Sequence, residues 1–218
     1  ITCYLDAHGR SNNSSRKETM KYIFVTGAPG SKWSSVVKNI YYSPDVDRSD
    51  YSDARTYYHD ASGQWDLMHL GAYFDPGMEF ALPEGLSSLS KESIEKIFDS
   101  AFDENSQGIR IVKSHIFCYE QNIKFLKENW PDCPIVLVYR DNDSCLGWWV
   151  RCGHFNITYP SYHEYYRDLK TMAKIIDWQN RDIRSAWDYY DGFIVRDNHE
   201  LADILKIALP ETKYYQNY

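Results

Sequence analysis

The chain contains no apolar run near the about 20 residues needed to cross a bilayer, so a membrane-spanning helix is not expected. It has no C-x-x-C pair: its five cysteines stand apart as Cys3, Cys118, Cys133, Cys145 and Cys152. An odd, scattered set is neither a disulfide framework nor a zinc pattern, and reduced structural thiols in a cytoplasmic protein are the expectation. Positive charge does not dominate either. Lys and Arg number 24 against 31 Asp and Glu, a net charge of −7, whereas a general nucleic-acid binder presents a basic face. A few cations can still converge on an anionic ligand in an acidic protein. The first residues, ITCYLDAHGRSNNSSRKET, lack the apolar stretch of a signal peptide. They read as a polar, mobile extension over 1–19, with Met20 close to a natural start and one domain over 20–218. There is no internal repeat and no low-complexity linker.

Aromatic residues are plentiful. The 19 Tyr and 7 Trp read first as core and surface, with YSDARTYYHD and YHEYYRD as candidate walls of a concave site. Strand signals alternate with helix signals along the chain. KYIFVT (21–26), IRIVKSH (109–115), PIVLVYR (134–140) and GFIVR (192–196) are β-branched or aromatic runs. Helices are expected at 33–42, 90–102, 118–130, from Ser144, over roughly 161–190, and at 198–209. In SKESIEKIFDSAF, Ser90 stands three residues before Ser93 as a start signal, and Ile94, Ile97, Phe98 and Phe102 follow 3–4 spacing. The alternation predicts an α/β single domain with a central, mostly parallel sheet and helices on both faces, of P-loop type. In such a sheet ligands bind at the carboxyl ends of the strands. Three of those ends carry polar groups: the 27–35 loop, KSH at 113–115, and YRD at 139–141.

The loop lies in YIFVTGAPGSKWSSVV, residues 22–37. A Gly-rich turn feeding a helix offers backbone N–H groups and the positive end of the helix dipole to an anion. Gly27 and Gly30 permit close approach, Lys32 adds a charge, and Ser31, Ser34 and Ser35 add hydroxyls. It is not the usual nucleotide-triphosphate loop, G-x-x-x-x-G-K-S/T, because Gly27 and Gly30 are three apart and Trp33 separates Lys32 from Ser34. On the strand IVKSH, Lys113 and His115 share a face while Ser114 points away. A neutral His beside a Lys suits proton acceptance from a hydroxyl, and the Lys suits a developing oxyanion. Arg140 ends the next strand, where a magnesium-holding acid often stands in NTP enzymes; a guanidinium there reads as a phosphate clamp. Ser144 follows as a further hydroxyl.

These segments resemble the 3′-phosphoadenosine-5′-phosphosulfate (PAPS)-dependent sulfotransferases. GAPGSKWSSV is similar to that family's 5′-phosphosulfate loop, commonly Pro, a basic residue, then Ser-Gly-Thr-Thr. Pro29, Ser31 and Ser34 fall on its Pro, Ser and second Thr. VKSHIF resembles the K-T-H-L-P segment that carries the catalytic base, and VLVYRD the strand ending in the Arg that grips the 3′-phosphate. The likeness is anchored over 22–38 and 109–152. Departures are plain: Gly30 stands where the loop's basic residue is expected, Lys32 replaces the loop glycine, Trp148 occupies a position usually Ser, and the late R-K-G segment has no clear counterpart. The resemblance implies sulfuryl transfer from PAPS to a hydroxyl or amine of a small-molecule or carbohydrate acceptor, leaving 3′-phosphoadenosine-5′-phosphate (PAP). His115 would be the base, Lys113 and Lys32 catalytic cations, and Gly27, Gly30, Ser31, Lys32, Trp33, Ser34, Ser35, Arg140 and Ser144 the donor-binding residues. No metal, nucleic-acid or membrane partner is implied; the protein is expected to be a monomer or homodimer. Trp33 is placed either against an adenine or packed within its helix. The acceptor pocket is sought in 65–80 and 159–166, and the acidic 45–60 loop reads as solvated. A P-loop kinase or other NTP-using enzyme and a non-catalytic nucleotide-binding module are the alternatives.

Overall fold

Residues 22–27 are apolar on both sides of the strand, and that requires a central position in a covered sheet. They form β2 (Tyr22–Gly27), buried along its whole length. The computed structural model describes residues 2–5, 20–50, 72–74, 86–151, 168–189, 193–195 and 198–209. The segments 65–80 and 159–166 and much of the 45–60 loop lie largely outside them. The remaining strands are β1 (Thr2–Leu5), β3 (Ala72–Tyr73), β4 (Arg110–Lys113), β5 (Ile135–Tyr139) and β6 (Phe193–Val195). The helices are α1 (Trp33–Tyr41), α2 (Lys91–Asp99), α3 (Glu120–Asn129), α4 (Asn142–Arg151), α5 (Leu169–Tyr189) and α6 (Asn198–Leu205).

The result is a mixed α/β fold around a sheet ordered β3-β4-β2-β5-β1-β6. Strands β3, β4, β2 and β5 run parallel; β1 is antiparallel to both β5 and β6. Phe24 pairs with Val112 on one side and Ile135 on the other. Side-chain alternation then sorts the core. Tyr22, Phe24, Val112 and Leu137 join Phe98 of α2, Leu126 of α3 and Ile183 of α5. Ile23, Val25, Ile111 and Val138 join Val36 and Ile40 of α1 and Leu201 of α6. The helix start at Ser90 behaves as its sequence predicts, its hydroxyl accepting from the Ser93 amide at 3.2 Å.

Three boundaries differ from the sequence expectations. Thr2–Leu5, read as part of a mobile extension, is a sheet strand: its four residues satisfy the backbone groups that β5 and β6 turn toward it. The strand expected to run through His115 ends at Lys113. The Ser114 hydroxyl accepts from the Ile116 amide, turning the chain into a 3-10 turn over His115–Cys118. The helix expected from Ser144 begins at Asn142, because the Asp141 carboxylate accepts from the Ser144 amide at 2.8 Å and caps it. Among the described residues no helix is long and apolar enough to cross a membrane.

At the amino ends of β2 and β4 a polar network closes the sheet. Arg110 donates to Asp99 at 2.7 Å and Asp47 at 3.3 Å, while Asp99 also accepts from Lys21 and Tyr22. Ser106 and Ser49 donate to Asp47. This end is opposite the polar strand ends singled out above.

Candidate functional site

The loop after β2 leads into α1 against one core cluster, whereas β5 leads through α4 to α5, which packs into the other. In parallel sheets ligands usually lie at the carboxyl ends of the strands. Residues 27–33 stand at the carboxyl end of β2, which lies between β4 and β5 in the strand order.

A turn with Ser31 N–H donating to Ala28 C=O at 3.0 Å shapes the loop. Gly30 has φ +79, and a Cβ there would sit 2.1 Å from the Cys145 carbonyl oxygen of α4. At Gly27 a Cβ would meet Ser31 Oγ at 2.6 Å and the Val138 carbonyl at 3.0 Å. The two glycines therefore let the loop pack against α4, β5 and itself. Lys32 sits at the N-cap of α1 in the left-handed region, φ 63, with no side-chain cap. No acidic residue lies in the first turn, so the helix's own sequence places no negative charge at the positive end of its dipole. Ser31 is fully buried and its Oγ makes no hydrogen bond within the described residues. Ser34 and Ser35 are half-buried, and the Ser35 amide donates to the Lys32 carbonyl at 2.9 Å.

His115 and Arg140, 25 residues apart in sequence, are both fastened to this loop. The His115 ring is 5% exposed and its Nδ1 lies 2.6 Å from the Gly27 carbonyl oxygen. A carbonyl only accepts, so Nδ1 carries a proton, and in the neutral form of the ring the lone pair is on Nε2. Trp33 stacks on the imidazole with centroids 4.4 Å apart and planes 29° from parallel. The His115 carbonyl is held by the Cys118 thiol at 2.8 Å and the Thr26 hydroxyl at 3.5 Å. Lys113, fully buried at the end of β4, places Nζ 5.7 Å from the centre of the Trp33 ring. Lys113 and His115 thus both lie near Trp33, although His115 is on the turn after β4 and not on the strand whose i, i+2 spacing was expected to pair them. Arg140 Nη1 donates to the Gly30 carbonyl at 3.2 Å.

Other expected site residues stand differently. Trp33 is 4% exposed within the core with His115 across one ring face; of its two placements, the packed one is observed. Lys32 places its Nζ 4.0 Å from the centre of the Trp148 ring. The two residues that depart most visibly from the family pattern therefore pair with each other. Ser144 serves Asp141: its amide and hydroxyl both hydrogen-bond that carboxylate and hold it below the usual carboxylate range. Ser144 is a helix-cap partner rather than a group directed at the loop. Burial pushes the neighbouring Cys145 thiol up to about 12, which suits a packing role under the loop.

Sequence reasoning missed Asn180 of α5. It is 2% exposed, and its Nδ2 donates to the Arg140 carbonyl and to Asn142 Oδ1, each at 2.7 Å. The signal was present, because Asn180 falls on the apolar stripe between Ile176 and Ile183, where a polar residue needs a buried partner.

No family profile, curated protein or solved structure matches the chain. Geometry and chemistry at the loop alone therefore bear on what it does.

Proposed function

We propose that the protein is a PAPS-dependent sulfotransferase of P-loop type, with helices covering both faces of its sheet. One observation carries this reading: a tautomer-fixed imidazole and a guanidinium, arriving from the two strands that flank β2, are both tied to the loop at the amino end of α1. A hydroxyl-activating base and a phosphate clamp around one anion loop is the arrangement that transfer between a bisphosphorylated adenosine and an acceptor requires. The buried Ser31 hydroxyl, without a hydrogen bond within the described residues, and the glycine-bounded loop leading into the amino end of α1 are the features that fit an anionic group in the loop.

In this reading, bound PAPS supplies an activated sulfuryl group whose departure leaves negative charge on a 5′-phosphate oxygen. The loop amides, Ser34 and Lys32 face that charge with fixed dipoles and a cation, so little reorganisation accompanies its growth. Lys32 would first leave the Trp148 ring, an interaction worth about 0.5–1 kcal/mol at an accessible site. His115 accepts the acceptor's proton at Nε2 while Nδ1–H stays on Gly27, which holds the resulting imidazolium in place. Trp33 blocks one ring face and keeps the imidazole from rotating. Lys113, whose Nζ lies 5.7 Å from the centre of the same indole, supplies positive charge to the transferred oxygens. Arg140 keeps one N–H on Gly30 and has further donors for a 3′-phosphate.

The test is transfer from PAPS to a panel of phenols, sugars and amines by wild type and His115→Gln, whose amide can still donate to Gly27. Transfer should fall by about 10²–10⁴-fold while PAP binding changes little. Wild-type rates in the variant would remove His115 from the chemistry. An absence of transfer together with tight ATP–Mg²⁺ binding would favour an NTP enzyme.

A further inference from the structure

Arg140 presents its guanidinium to the loop, but nothing in the loop fixes where its backbone stands. That is done from behind, by α5. The Arg140 carbonyl accepts from Asn180 Nδ2 at 2.7 Å and from the Cys145 thiol at 3.4 Å. The same Nδ2 donates to Asn142 Oδ1 at 2.7 Å, and Asn142 Nδ2 donates to Asp177 Oδ1, one turn back on α5, at 2.9 Å. The β5–α4 junction is thereby tied to α5 at two residues, Arg140 and Asn142. Asn180 Oδ1 is buried and makes no hydrogen bond within the described residues.

We infer that Asn180 is a positioning residue that sets the reach of the Arg140 guanidinium over the anion loop, and so sets discrimination for a ligand carrying a second phosphate. The chain of contacts is continuous. Asn180 holds the Arg140 carbonyl, the Arg140 side chain holds the Gly30 carbonyl, and Gly30 lies against α4 with no room for a Cβ. If the first link is removed, the guanidinium gains freedom where a phosphate needs two aligned donors. The ligand part of this inference rests on the donor-binding reading proposed above; the link from Asn180 to Arg140 does not.

The adjacent residue supplies the control. Gln179 is equally buried on α5, but its Nε2 donates to the Tyr119 hydroxyl at 3.3 Å, away from Arg140. Asn180→Leu and Gln179→Leu each exchange a buried amide for an apolar side chain of similar size. Both proteins are checked for folding by thermal denaturation, then titrated with PAP and with 5′-AMP, and the Arg140 Nε–H resonance is followed by nitrogen-15 NMR. Asn180→Leu should cut the PAP to 5′-AMP affinity ratio by about fivefold, the worth of one ordinary hydrogen bond, and should broaden or shift the Arg140 signal. Gln179→Leu should lower stability and leave both readouts unchanged. Equal effects of the two variants, or an unchanged Arg140 signal in Asn180→Leu, would overturn the inference. Where wild type itself shows no preference for PAP, the donor-binding reading falls, and the Asn180 link stands or falls on the Arg140 signal. If Asn180→Leu does not fold, Asn142→Ala, which removes the neighbouring tie, should give the same changes in smaller measure; none in either readout overturns the inference.

Discussion

Replacing Gly30 by alanine tests whether the loop is built against α4 as described. An alanine at φ +79 takes on left-handed strain of about 1–2 kcal/mol. Its Cβ would stand 2.1 Å from the Cys145 carbonyl oxygen and 2.8 Å from the carbonyl carbon. Those are backbone atoms of a helix, so the loop must move by more than an ångström, an overpacking cost of about 1–3 kcal/mol. That movement also weakens the Arg140–Gly30 contact, a hydrogen bond from a charged donor worth about 1.5 kcal/mol. Together these give a loss of roughly 4–6 kcal/mol, and thermal denaturation should show Tm lower by about 10–20 °C for a domain of this size. Gly147 is the matched control, since it lies on the exposed side of α4 and a Cβ there meets nothing within 4 Å. Gly147→Ala should stabilise by about 0.5–1 kcal/mol through helix propensity. Opposite signs are the expected pattern. A Gly30→Ala protein within about 1 kcal/mol of wild type would mean that the loop does not rest on α4, and the site geometry built on that packing would be withdrawn.

Other outcomes follow from the same structure. Phe24→Ala, which removes a fully buried ring between Phe98, Phe117 and Trp130, should destabilise by about 3–5 kcal/mol in urea denaturation. Burial alone would raise Asp47 and Asp99, but hydrogen bonds from Ser106, Ser49 and Arg110 on the first, and from Lys21, Tyr22 and Arg110 on the second, outweigh it and leave both carboxyls lowered. Their stabilisation is present above the unfolded value of about 4 and is lost as pH falls through the lower folded values. Unfolding free energy measured from pH 6 to pH 2 should therefore drop mainly below about pH 4, and Asp47→Asn should flatten that drop while lowering stability at pH 7. Burial raises the thiols of Cys118, Cys133 and Cys145, so iodoacetamide at pH 8 followed by peptide mass spectrometry should leave all three unmodified in the folded protein; rapid labelling of Cys145 would contradict its place beneath the loop.

Much of this architecture is legible in the sequence because periodicity reports burial. β2, β4 and β5 are short continuous apolar runs, and α2 shows both its Ser90 start and its 3–4 spacing. β1 was not legible, since its four residues become a strand only through partners some 135 and 190 positions away. The turn at Ser114 was missed because a hydroxyl that competes for a backbone amide leaves the apolar pattern intact. At the site, the loop, His115 and Arg140 were found as chemistry-bearing residues at strand ends, and the parallel pairing of β2 with β4 and β5 brings them together. Ser144 went the other way. A serine in the first turn of a helix invites assignment to a ligand, but Asp141 precedes it by three residues and takes both of its donors. At the glycines, a sequence shows that a Cβ is absent without showing which atoms fill the space: here those of Ser31, Val138 and Cys145.

Calorimetric titration of the wild-type protein and Arg140→Ala with PAP, 5′-AMP and ATP–Mg²⁺ addresses the joining of His115, Arg140 and the loop around one ligand most directly. PAP should bind more tightly than either of the others, and Arg140→Ala should lose most of that preference while retaining affinity for 5′-AMP. Equal affinities for PAP and 5′-AMP in wild type, or equal losses for both in the variant, would contradict it.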